Sequence, residues 1–246
     1  SMMASSDDDG PVKWDLAKQT ARQSIAGQDP SVGSFAAKEI DDALRLADAW
    51  LDQTTTIEAA NVPVVAWSRA EWVEATMENW REMTEPVAIS LSEALTRSIT
   101  EQLPGQLPEE FQAAFGQMQP MMKNLGGSMF GLQLGQAIGE LAQEVLSGTD
   151  TGFPIAGQRL AMVPVNIEEF GDGLSVEADQ VRIYLALREA ARMRLFANSP
   201  WLARDLMAMV QQYAAGISID VSAIEDAVQT LDPMDPESMN QMFSGS

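Results

Sequence analysis

The chain has 246 residues, 46% of them hydrophobic, and a formal charge of −21. That is enough apolar material for a core of its own, and so acidic a surface repels phosphate backbones and anionic headgroups, which excludes nucleic acid and membrane surfaces as expected partners. With neither cysteine nor histidine, the chain has no disulfide, thiolate nucleophile or imidazole base, and no metal site built on those ligands.

Residues 1–12 are small, acidic and Gly/Pro-containing, and read as a disordered arm. The opening "SMMASSDDDG" lacks the basic start and apolar centre of a secretion signal, and no apolar run reaches about 18 residues, so a cytoplasmic protein is expected. From Ser34 to Thr56, Ala37, Ile40, Leu44, Ala47 and Leu51 recur at helical spacing, with Ser34 as an N-cap. "NVPVVAW" interrupts. Ser68 and Glu71 then have the spacing of a capping box at the head of a helix that carries Trp72, Thr76 and Trp80 on one face. Pro86 is expected to kink or end it.

"LPGQLP" is a turn, and Pro108-Glu109-Glu110 starts the next helix. In "MMKNLGGSMFGLQLGQAIGELAQEVL", Gly127, Gly131, Gly135 and Gly139 repeat every four residues. On a helix they form one bare strip, and each glycine costs roughly 1 kcal/mol of helix propensity relative to alanine. A packing return is therefore expected, by close approach of another helix of the same chain in preference to a homodimer seam. "SGTDTGFPIAG" reads as a loop, and its Asp-Thr-Gly matches the aspartic peptidases only in letters. "QRLAMVPVNI" is the clearest strand candidate, with Pro164 weakening its far half, and "EEFGDG" is a turn. Helices follow over 177–198, from Pro200 to a cap at Gly216, and over 221–231. The whole reads as one domain over residues 13–231 with a loose acidic tail at 232–246.

The stretch "YLALREAARMRLFANSPWL" carries the chemistry worth weighing. A zinc peptidase helix places two imidazoles at i and i+4, with a glutamate after the first to activate the bound water. Arg188, Glu189 and Arg192 have that spacing. Arginine stays protonated and has no lone pair to give a metal, so no metal and no cofactor are expected. A helical wheel sets both arginines among Val181, Tyr184, Leu185, Leu195 and Phe196, on a helix apolar nearly all round. Guanidiniums in such a setting need carboxylate or carbonyl partners, or a wet cavity.

By pattern the chain resembles the zincin-like metallopeptidase superfamily, and within it a largely actinobacterial branch labelled as hydrolases or as proteins associated with deazaflavin coenzyme biosynthesis. The residues concerned are Arg159 to Asn166, Leu185 to Arg192 and Arg194 to Leu202, together with the glycine strip. The resemblance implies a predominantly α, α+β fold with a small β element. It also implies that family ligands would fall on Arg188 and Arg192, and a further histidine near Asn198, so that Glu189 alone is retained and is not expected to act as a catalytic residue. The expected function is a catalytically degenerate protein with a binding or regulatory role toward a protein or peptide partner. Two alternatives are a hydrolase that uses Glu189 with carboxylate metal ligands, for which "SSDDDG" and "DPMDPE" supply acids, and a helical homo-oligomeric scaffold built on the glycine strip or the tryptophan-rich helices.

Overall fold

The computed structural model describes residues 10–102 and 109–215, without the side chains of 95–120, 122, 214 and 215. Among these residues the elements run α1 (Trp14–Ser24), α2 (Ser34–Thr54), β1 (Val64–Ala66), α3 (Arg69–Gln102), α4 (Glu109–Glu144), β2 (Leu160–Met162), α5 (Pro164–Gly171), α6 (Ala178–Asn198) and α7 (Pro200–Ala215). The fold is mainly α, with one small parallel sheet. The helix expected from Pro200 is α7; its cap at Gly216, the helix expected at 221–231 and the tail lie outside the described residues.

The capping box forms as the spacing requires. The Ser68 amide donates to Glu71 Oε2 at 2.8 Å and the Glu71 amide to Ser68 Oγ at 3.2 Å. Trp72 and Trp80 are buried on the inner face of α3, edge to face at 6.3 Å between ring centroids, a favourable aromatic geometry. Trp50 stays half exposed. Pro86 neither ends α3 nor divides it, because burial of the Trp72–Met83–Ala88 face offsets the missing amide bond.

The glycine strip lies against α1. A methyl on Gly131 would come to 2.7 Å from Lys13 O, one on Gly135 would strike Ala17 O, and one on Gly139 would strike the Ser24 side chain. Gly127 faces the carbonyl of Gly10, and its own carbonyl accepts the Lys13 amide at 3.1 Å. Residues 10–12, placed by composition in the arm, therefore join the core, where Val12 is fully buried.

Two short segments depart from expectation. β1, within the "NVPVVAW" interruption, pairs with β2 in parallel, Val64 opposite Leu160 and Ala66 opposite Met162. β2 stops at Met162, and Pro164 opens α5 instead of weakening a strand, because its fixed φ and missing amide suit the first helical position. The "EEF" of the expected turn is the last part of that helix.

Candidate functional site

The site is built where α4 hands the chain to β2. After Glu144 the backbone runs beside β2: Gly148 N–H donates to Ala161 O at 2.9 Å, and Val163 N–H to Leu146 O at 3.1 Å. Gly148 has no room for a side chain, since a methyl there would lie 2.5 Å from Ala156 Cβ and 3.2 Å from Glu189 Oε1. The chain then turns over α6. Asp150 Oδ2 accepts the Leu146 amide at 2.9 Å, which leaves Oδ1 aimed at the helix.

That oxygen meets both arginines. Arg188 Nη2 lies 2.5 Å from Asp150 Oδ1, and Arg192 Nη1 lies 3.6 Å from it. Arg192 also donates to the carbonyl of Thr149 at 3.2 Å. Thr149 serves the third residue of the motif as well, its amide donating to Glu189 Oε2 at 3.2 Å and its hydroxyl to the same oxygen. Two adjacent loop residues, Thr149 and Asp150, thus hold Arg188, Glu189 and Arg192.

Glu189 is fully buried. Burial pushes its carboxyl above the ordinary carboxylate range; the hydroxyls of Thr149 and Ser147 and the Thr149 amide pull it down, and the negative charge of Asp150 adds to the upward push. The net direction is up. Ser147 lies near enough to favour the ionised form yet makes no well-formed hydrogen bond, and Glu189 Oε1 has no partner.

The arginines do not sit on a closed apolar face. Their side chains are 26% and 38% exposed, with Tyr184 and Leu195 exposed on the same side. The wheel counts apolar residues, but the inner face of α6 is Val181, Leu185, Ala186, Ala190 and Met193, and the Asp150 loop covers only the middle of the other side. Asn198 does not join the cluster, for its amide donates to Glu58 O and Arg194 O, both at 2.9 Å.

Sequence reasoning missed two parts of this arrangement. Asp150 and Thr149 sit in the loop set aside as a chance Asp-Thr-Gly match, and nothing local marks them as partners of a helix about forty residues on. Arg194, almost wholly buried, was not singled out; the signal was Asp48 and Asp52, two carboxylates one turn apart on α2, which both bind it.

The positions that would ligate zinc do not fit it. A guanidinium cannot act as a ligand, and no group of three His, Cys, Asp or Glu side chains gathers among the described residues. The acidic stretches at 5–9 and 232–237 lie outside them. No described helix is long and apolar enough to cross a membrane.

The mainly helical fold with a minimal parallel sheet is consistent with one known class of protein. The chain belongs to the zincin-like metallopeptidase family, whose model matches residues 12–246. Among solved structures it is similar to "a putative hydrolase with a novel fold" from Chloroflexus aurantiacus, at 19% identity and a TM-score of 0.56. The match covers 83% of this chain and 59% of that one, so the chain spans little more than half of the related structure. At that identity the likeness concerns the fold. No curated protein matches the chain.

Proposed function

We propose that this member of the family has exchanged metal chemistry for binding, with Arg188 and Arg192 standing where imidazole ligands would be. The observation that carries the reading is the bridge formed by Asp150. One carboxylate spans two guanidiniums over the positions from which a zinc ion would be held. Zinc on two neutral histidines brings a local charge of about +2, and two arginines bring the same, so a neighbouring acid keeps its counter-charge without the metal.

Glu189 fits the same reading. A general base for bound water needs a free, ionised carboxylate within reach of that water. This one is buried, pushed toward its neutral form, and has one oxygen committed to Thr149. Its role is to dock the Asp150 loop.

Elemental analysis of the purified full-length chain, with a zinc titration and a panel of peptides and esters, tests the proposal. The expected result is no stoichiometric metal and no hydrolysis. One tightly bound metal per chain, with turnover abolished by Glu189→Gln, would overturn it.

A further inference from the structure

The cluster on α6 lacks partners in a directed way. Arg188 Nε and the hydroxyl of Thr151 are buried with nothing to accept their hydrogens, and the Ser147 hydroxyl and Glu189 Oε1 are buried and unpaired beside them. Among the described side chains the only others in this condition are the indole N–H groups of Trp14, Trp72 and Trp80 in the core. Buried polar atoms are almost always paired, and Ser147 lies close enough to Glu189 to answer it, so the two donors left, Arg188 Nε and the Thr151 hydroxyl, mark a place where a group from outside the chain completes the bonding. Its charge follows from the count of ions. Two guanidiniums share one carboxylate, that of Asp150, while the Glu189 carboxyl bonds Thr149 and neither arginine, and Arg192 spends one hydrogen bond, on Thr149 O. A single negative charge with acceptor lone pairs is missing.

The same loop continues into a groove. Two residues beyond Thr151, Phe153 begins one wall, with Pro154 and Ile155, facing Met83 of α3 and Met207 of α7 across about 370 Å³. Two residues span at most about 7 Å, so the wall starts within reach of the cluster. The volume is in the ordinary range for small ligands, and methionines adapt to varied shapes. The Asn79 amide is committed to Ile155 O at 2.7 Å. The rim carries one acid, Glu82, and one base, Arg204.

We infer that this junction binds an apolar carboxylate: the anion on Arg192, Arg188 Nε and the Thr151 hydroxyl, and its hydrophobic body in the groove between α3 and α7. The inference rests on the binding role proposed above and names its ligand class. A monoanion matches one surplus positive charge, whereas a dianion is opposed by the field of a chain at −21. The planar guanidinium suits the carboxylate's two oxygens. Two sources share this chemistry, a free aliphatic acid and the last residue of a peptide that ends in a bulky apolar side chain.

Calorimetric titration of the full chain with N-acetylphenylalanine, its amide, hexanoate, acetate and inorganic phosphate separates the outcomes. An apolar acid should bind at least about tenfold more tightly than the amide and than acetate. Arg192→Ala should weaken it by about tenfold, Arg192→Lys by less, and Met207→Trp should weaken the apolar acids while leaving acetate unaffected. Preference for N-acetylphenylalanine identifies the peptide source, and preference for hexanoate the free acid; either supports the inference. Equal binding of acid and amide, tighter binding of phosphate, no binding of either acid, or a loss that follows Arg204→Ala in place of Arg192→Ala would overturn it. Failure here on a metal-free protein leaves the non-catalytic reading standing; stoichiometric metal overturns that reading whatever the acids do.

Discussion

Arginines lie on two sides of α6 in opposite states. Arg194 is 2% exposed and fully satisfied: Nε and Nη2 bond Asp48, Nη1 donates to Ile57 O at 3.0 Å, and Asp52 adds a second carboxylate at 2.8 Å. On the other side two arginines divide one aspartate, and Arg188 Nε has no partner. The first arrangement has two acids for one base and the second has one acid for two bases. Saturation is what a structural ion pair needs to repay its desolvation, and shortage is what a recognition site keeps in reserve.

The contrast can be broken most forcefully from the saturated side. Arg194→Ala strands Asp48 and leaves Ile57 O without its donor, and should cost about 3 kcal/mol in a denaturant melt, toward the low end for buried pairs because Asp52 is largely solvated. A loss under about 1 kcal/mol would mean the two sides do not differ in kind.

A smaller effect is expected beneath the unsaturated side. Burial lifts the Glu189 carboxyl above its ordinary 4.5, so between that value and the lifted one the folded chain holds a proton that the unfolded chain has released. The stabilisation is complete below the unfolded value and is lost as pH rises through the folded one. Glu189→Gln has no proton to lose. Its stability should therefore gain on the wild type as pH climbs above 4.5, and melts in a pH series that run parallel would show the carboxyl to be ionised throughout. Arg192→Ala is the smallest, at or below about 0.5 kcal/mol, since its ion pair is long and open to water. A cost as large as that of Arg194→Ala would make it a structural residue.

Much of the helical frame was legible because burial on helices leaves a period. The apolar series in α2 and the Ser68–Glu71 box mark elements to within a residue or two, as does the stretch that became α6. Three-residue strands leave no period, so β1 hid behind Pro63, and Pro164 has the same letter whether it weakens a strand or opens a helix. At the site, the positions of Arg188, Glu189 and Arg192 could be read from spacing alone. Their partners could not, because Thr149 and Asp150 reach them through the pairing of Gly148 and Leu146 with β2, a tertiary event with no local trace.

That pairing also sets an order of assembly. Val64 meets Leu160 only after about a hundred intervening residues, including both long helices, have found their places. Closing so wide a loop for three residues of ladder returns little until the helices have brought its ends together. The Asp150 turn, which hangs from β2, is therefore a late event in folding and an early one in local opening. The amide of Gly148 should exchange with solvent sooner than those in the buried middle of α6, so the Asp150 turn can loosen while the helix beneath it stays whole.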